Sequence, residues 1–193
     1  LNESGKVAWL KQTGLRWTRG DSSSDLAHLY KESELKIESR LDPLTKIHNR
    51  RGFEEAFIQF QKLGNRLNRA AQLLFIDLNN FKKINDTLGH KAGDEVLKRF
   101  ANILRSCIRN TDLLCRWGGD EFVILLNNED KVAQKEFIER IKEKQENDFK
   151  NYGYKEICFS VGAVEVVPNI NCDLAQLLHK ADNIMYSCKK FNR

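Results

Sequence analysis

Two rhythms of apolar residues alternate along the chain. Short unbroken runs read as buried strands: Leu73-Leu74-Phe75-Ile76, Leu113-Leu114-Cys115, Phe122-Val123-Ile124-Leu125-Leu126, and Ile157-Cys158-Phe159 continued by Val161, Ala163 and Val164. Between them apolar positions recur at steps of three and four, the mark of an amphipathic helix. One set is Phe53, Phe57, Phe60, Leu63 and Leu67. Others are Val96, Leu97, Phe100, Ile103, Leu104, Cys107 and Ile108; Val132, Phe137, Ile138 and Ile141; and Leu174, Leu177, Leu178, Ala181, Ile184, Met185 and Tyr186. Strands and helices in this order fit an α/β sandwich.

The first forty residues have a different texture. Gly5-Lys6-Val7-Ala8-Trp9-Leu10 and Leu15-Arg16-Trp17 read as two short strands around Gly14. A stretch of this length cannot bury a core. Residues 1–20 are therefore either the remnant of an upstream sensor, PAS-like in rhythm, or a tail. Asp21-Ser22-Ser23-Ser24-Asp25 supplies helix-capping side chains, and Leu26, Tyr30, Ser33, Ile37 and Leu41 follow at helical steps. Residues 21–41 thus predict a helix, which either lies on the main domain or pairs two chains as a signalling helix. Pro43 ends it, because proline restricts the residue before it and lacks an amide donor.

Composition narrows the class. An apolar fraction of 41% over 193 residues supports a core, and no run approaches the roughly 18 apolar residues of a membrane span. The opening carries no signal-peptide pattern and starts mid-rhythm, as a fragment would. A net charge of +5 is spread among acids with no basic stripe, which argues against a nucleic-acid surface and suits a nucleoside triphosphate. The five cysteines (Cys107, Cys115, Cys158, Cys172, Cys188) lack C-x-x-C spacing. They read as buried, reduced thiols of a cytoplasmic protein.

Chemistry concentrates at Arg116-Trp117-Gly118-Gly119-Asp120-Glu121-Phe122. Two apolar runs flank a Gly-Gly pair, so the stretch predicts a tight hairpin in which glycines take positive φ, with Asp120 and Glu121 at its tip. Asp77 closes the run Leu73–Ile76. A carboxylate at the end of a buried strand is expensive unless it is paired or binds a cation, so Asp77 is a metal-ligand candidate.

Gly-Gly-Asp-Glu-Phe resembles the signature of the GGDEF family, the diguanylate cyclases. Other stretches match that family in order. Asp42-Pro43-Leu44-Thr45-Lys46-Ile47-His48-Asn49-Arg50-Arg51 is similar to D-x-L-T-G-L-x-N-R-R, with Lys46-Ile47 in place of Gly-Leu. Asp77 through Asp86 is similar to D-x-D-x-F-K-x-I-N-D, with Asn79 at the second acid. Thr87 to Asp94 matches T-x-G-H-x-x-G-D, and Ala181 to Lys189 is close to A-D-x-A-x-Y-x-A-K. Arg109-Asn110-Thr111-Asp112 is an R-x-x-D ahead of Gly118 at the family's offset.

The resemblance covers residues 42–193. It implies a central, mostly antiparallel sheet flanked by helices, as in nucleotide cyclases and polymerase palms, with the 21–41 helix ahead of it. It implies condensation of two GTP into cyclic di-GMP with release of two pyrophosphates, on a homodimer whose domains face each other. Mg²⁺, or Mn²⁺, would be held by Asp77, the Leu78 carbonyl and Asp120. Asp120 is the main catalytic residue and Glu121 assists it. Asn85 and Asp94 would recognise guanine. An acceptor carboxylate suits guanine's N1–H and N2–H₂ donors, which adenine lacks. Gly118 and Gly119 would admit the phosphates, and Lys82, Lys189 and Arg193 would bind the substrate, the last two at the triphosphate. Arg109 and Asp112 would form an inhibitory site for the product. His90 is structural or near phosphate and carries no assigned role. No nucleic acid or membrane contact is expected of this stretch. The protein is expected to be cytoplasmic, on its own or as part of a larger bacterial sensor. Two other readings stand beside the enzyme: a degenerate domain that binds GTP or cyclic di-GMP as a regulator, and a cyclase joining GTP to a second nucleotide.

Overall fold

The computed structural model describes residues 31, 35, 38–127, 130–154, 156–168 and 173–191. The chain divides into two units, 1–38 and 39–193, and the sheet with its helices belongs to the second. The two strands expected in 1–20, and nearly all of the expected helix over 21–41, lie outside the described residues.

The elements run α1 (Arg50–Leu67), β1 (Ala71–Asn79), α2 (Phe81–Leu88), α3 (His90–Cys107), β2 (Leu113–Arg116), β3 (Glu121–Leu126), α4 (Lys131–Asn151), β4 (Cys158–Val166) and α5 (Leu174–Phe191). The strands form one antiparallel sheet in the order β2-β3-β1-β4. β1 lies inside the sheet, which explains why its sequence is apolar on both faces.

Strand alternation sorts the core into two layers. Leu73 and Phe75 of β1, with Val123 and Leu125 of β3, pack against Phe53 and Phe57 of α1 and Leu177, Leu178, Ala181 and Met185 of α5. Leu74, Ile76 and Leu78, with Phe122 and Ile124, pack against α2, α3 and α4. Phe100 of α3 centres the second layer, its ring edge-on to Phe122 at 5.2 Å and tilted against Phe159 at 5.6 Å. A residue's parity on β1 therefore decides which helices it meets. Asp77 shares the parity of Leu73 and Phe75 and faces the α1/α5 layer.

Some helix faces differ from the periodic reading. The inner face of α4 is Phe137, Ile141, Gln145 and Phe149, all buried, whereas Val132 is exposed. Val132 lies nine residues before Ile141, about half a turn round the helix. Leu63 and Leu67 of α1 and Ile184 and Tyr186 of α5 are also exposed. Cys107 and Cys115 are buried free thiols, as expected, and burial pushes the Cys115 thiol well up. Cys158 is exposed, at the first residue of β4. No described helix is long and apolar enough to cross a membrane.

The turn before α1 ties the start of the domain to β2. Asp42 accepts the Thr45 amide at 2.8 Å and its hydroxyl at 2.7 Å. Lys46, where the family pattern carries glycine, takes the left-handed conformation with φ 58°. Asn49 caps α1 by accepting the Gly52 amide, and its own amide donates to the Ser39 and Leu41 carbonyls. The Arg116 amide donates to the His48 carbonyl at 2.9 Å, which fastens β2 to this turn.

Candidate active site

Strand register assembles the acids. In the β1–β3 ladder Asp77 stands opposite Glu121, and the Leu78 amide donates to the Asp120 carbonyl at 3.2 Å. Asp77 and Asp120 are 43 positions apart in the chain, yet antiparallel pairing makes them neighbours. Asp77, Asp120 and Glu121 are all half-buried.

Their charges are not balanced. Burial pushes the Asp120 carboxyl above the ordinary aspartate value, and the Asp77 carboxylate adds to it. Burial raises Glu121 too, reinforced by Asp120, Asp77 and Asp182. Two cations work against this: Lys189 of α5, whose ammonium forms an ion pair with Asp77 and holds both other acids down somewhat, and Arg116, which holds Asp120 down. Lys189 is thus found on Asp77 itself, and the resemblance implies a place for it at the triphosphate. Arg193 lies outside the described residues.

The connection between β2 and β3 is held by Arg116. Its Nε and Nη2 donate to the Gly119 carbonyl at 3.1 and 2.8 Å, while its Nη1 reaches both Asp42 oxygens at 3.2 Å. The Trp117 and Gly118 amides close the turn on the Glu121 carbonyl at 2.8 and 3.4 Å. Space calls for glycine at Gly118, and backbone handedness calls for it at neither position, contrary to the expectation of positive φ. The positive-φ glycines among the described residues are Gly89 and Gly153. A Cβ on Gly118 would stand 2.5 Å from Glu121 Oε2, whereas one on Gly119 would meet nothing within 4 Å. Gly118 makes room for the Glu121 carboxylate, and Gly119 lies in open space at the turn.

Asn85 and Asp94 form a second group. Asn85 lies on α2, and its Oδ1 would be 2.0 Å from a Cβ on Gly93, the residue before Asp94 on α3. Gly93 lets α2 and α3 close until the Asn85 side chain lies against the backbone one residue before Asp94. Asp94 is exposed and lies one turn inside α3, which starts at His90, so it does not cap that helix. Lys82 is exposed on the first turn of α2.

Arg109 and Asp112 lie elsewhere. Asp112 accepts the Arg109 amide at 2.8 Å and the Asn127 amide at 3.0 Å. Asn127 follows the last residue of β3, and Glu121 is the first, so the two corners are roughly 20 Å apart at strand rise. The short sequence offset between Arg109 and Gly118 spans the length of β2. Asp112 spends both oxygens on backbone amides, and Arg109 is exposed. Arg140 donates to the Cys107 carbonyl at 3.0 Å, and Lys144 reaches Ser106 Oγ at 2.9 Å. Arg140 and Lys144 of α4 thus reach the end of α3, where the helix dipole is negative, two or three residues before Arg109 in the chain.

Sequence reasoning missed Arg116, Arg140 and Lys144. Arg116 had a signal, an arginine just before the Gly-Gly pair in a chain with an early Asp-Pro turn. Arg140 and Lys144 had none, because they look like any solvated charge on α4.

No group of three or more His, Cys, Asp or Glu among the described residues is arranged to hold a metal ion. The donor chemistry nevertheless fits one. Asp77 and Asp120 are hard oxygen donors brought together by strand pairing, and the surplus negative charge on Asp120 and Glu121 is of the kind a cation relieves.

The family model "Diguanylate cyclase, GGDEF domain" matches residues 39–193. The chain belongs to the GGDEF family. Diguanylate cyclase DgcS of Shewanella oneidensis is 34% identical over 160 residues, 83% of this chain and 53% of that protein. Diguanylate cyclase DosC of Escherichia coli is 32% identical over 193 residues, 100% of this chain and 41% of that one. The chain thus spans about half the length, or less, of these GGDEF relatives. The crystal structure of the coiled coil and GGDEF domain of DgcB from Caulobacter crescentus, in complex with c-di-GMP, superposes with a TM-score of 0.76 at 19% identity. It covers 99% of this chain and 97% of that one, a likeness of fold.

Proposed function

We propose that this GGDEF domain condenses two GTP molecules into cyclic di-GMP and two pyrophosphates, with two domains facing each other as a homodimer. The observation that carries the reading is the β1–β3 register, which sets Asp77 against Glu121 and bonds Leu78 to Asp120. The 3′-hydroxyl of one GTP attacks the α-phosphate of the other, and pyrophosphate leaves.

The chain's own groups divide the work. Asp94 accepts from guanine's N1–H and N2–H₂, and Asn85 covers neighbouring ring atoms. Gly119 leaves the turn open, so phosphates can approach its backbone. Asp120, with a raised pKa, is suited to accept the hydroxyl proton, and Glu121 assists at the ribose or the cation. Lys82, Lys189 and Arg193 bind the substrate, the latter two at the triphosphate. Asp77, the Leu78 carbonyl and Asp120 would hold Mg²⁺. Bound Mg²⁺, for which Mn²⁺ is a substitute, supplies a more acidic hydroxyl and a neutralised leaving group.

Product inhibition is assigned to Arg109 and Asp112. The reach of Arg140 and Lys144 to the end of α3, just before Arg109 in the chain, supports it, since guanidinium groups bind guanine O6 and N7 or phosphate bidentately. The distance from Glu121 supports a separate ligand there.

The test is incubation of the dimeric protein with GTP and Mg²⁺, followed by product analysis. Cyclic di-GMP is expected, and untouched GTP would reject the reading in favour of a binding module. Arg109→Ala is expected to keep turnover and lose inhibition by added cyclic di-GMP. Undiminished inhibition would remove the R-x-x-D assignment.

A further inference from the structure

The ion pair between Lys189 and Asp77 bears on how this site fills, and its meaning rests on the cyclase reading. We propose that Lys189 is a place-holding counter-ion. Without nucleotide its ammonium occupies Asp77 and weakens its hold on a divalent cation, and the nucleotide's phosphates draw the ammonium away.

The pair is partly shielded: the Lys189 side chain is 26% exposed and that of Asp77 17%. Such a pair is stronger than one in open water. Two of the three elements that reach Asp77 bring acids, while β4 sets Ser160 opposite it. Glu121 and Asp120 approach from the β3 side, and Asp182 lies on α5 with Lys189. Lys189 is the cation that α5 contributes to Asp120 and Glu121 as well. The ammonium sits on one Asp77 oxygen, and a divalent cation on the same carboxylate would repel it and draw on the same negative charge. The two cations therefore compete for Asp77.

The geometry also permits the exchange. α5 is pinned to β4 at Gly162, where even a Cβ would stand 1.9 Å from the Ala181 carbonyl oxygen. The helix backbone is fixed there, but the lysine ends a flexible four-carbon stem that can swing without it. Cation alone should bind weakly, and cation with nucleotide should bind in concert. By linkage each then strengthens the other.

The experiment measures Mn²⁺ binding to the 193-residue chain by electron paramagnetic resonance, first with Mn²⁺ alone and then with the α,β-methylene analogue of GTP. Lys189→Met is expected to bind Mn²⁺ alone about fivefold tighter than wild type, the worth of one such ion pair. The tightening that the analogue produces in wild type should shrink by a similar factor. Lys189→Arg, which keeps the charge, should stay near wild type. Lys180→Met, an exposed lysine on the same helix, should change nothing. A purely structural ion pair predicts the opposite sign, since losing it loosens the site.

Unchanged or weaker Mn²⁺ binding by Lys189→Met would overturn the proposal, and so would equal tightening in Lys180→Met, a mere field effect. If wild type makes cyclic di-GMP while Lys189→Met fails to tighten, the place-holder is wrong and the cyclase stands. If tightening occurs but GTP is never converted, the cyclase is wrong and the place-holder stands.

Discussion

Asp42 and the Asp77–Asp120–Glu121 group are two acidic corners that share one arginine-held turn, and they are treated in opposite ways. Asp42 has a full set of partners: the Thr45 amide and hydroxyl and the Arg116 guanidinium. Burial alone would raise its pKa, but those contacts outweigh burial and hold it below the ordinary value. The other corner packs three carboxylates against one ion-paired ammonium, with the Arg116 guanidinium acting on Asp120 from beside the turn, and two of the acids are still pushed up. An acid with satisfied neighbours holds the fold, whereas acids left among like charges hold a place for something positive. Arg116 joins the corners, since one guanidinium grips both Asp42 and the Gly119 carbonyl beside Asp120.

Substitutions should break this contrast in a set order. Asp120→Ala should cost the most, at least about 10³-fold in turnover, roughly 4 kcal/mol of barrier, with the circular dichroism of the fold retained. Turnover within tenfold of wild type would show the crowded corner is not the reactive one. Asp42→Ala comes next, because it strands a shielded guanidinium, with an expected loss of about 3 kcal/mol in urea unfolding.

Proton linkage sharpens the comparison further. The folded pKa of Asp42 is depressed, so its contribution is present above the unfolded value and is lost as pH falls through the lower folded one. The destabilisation of Asp42→Ala should therefore shrink in acid. Asp120 has the opposite sign: its folded pKa is raised, so its penalty is absent below the unfolded value and complete above the folded one. Asp120→Asn should therefore stabilise the fold at neutral pH by about 1 kcal/mol, a few degrees in Tm, with the gain vanishing as pH falls through the carboxylate range. Parallel pH slopes for Asp42→Ala and Asp120→Asn, measured by thermal melting, would erase the distinction. The smallest effect belongs to Lys46. Its left-handed backbone favours glycine, and Lys46→Gly should gain about 0.5 kcal/mol after the unfolded chain's added freedom is subtracted.

Much of the site was readable in the chain because its parts are local. Asp77 at the end of an apolar run, Gly118-Gly119 between two others, and Gly93 before Asp94 are short patterns whose chemistry depends on adjacent residues. The sheet followed from the same runs. What escaped was set by packing. Val132 fitted a helical rhythm but lies off the face that α4 buries. The Gly-Gly pair suggested a positive-φ turn, but the glycines answer to the Glu121 carboxylate and to open space. Arg140 and Lys144 reach Cys107 and Ser106, close in sequence to Arg109, only because α4 crosses the end of α3.

The order of apolar runs and the spacing of glycines and acids, taken alone, determined an α/β domain, its family motifs and the identity of its candidate acids. Tertiary structure alone decided who neutralises whom: Arg116 on Asp42, Lys189 on Asp77, backbone amides on Asp112. Apolar periodicity is a property of neighbours along the chain, and sequence records it directly. Charge pairing depends on distances across strands and helices, and these exist only once the sheet has set its register.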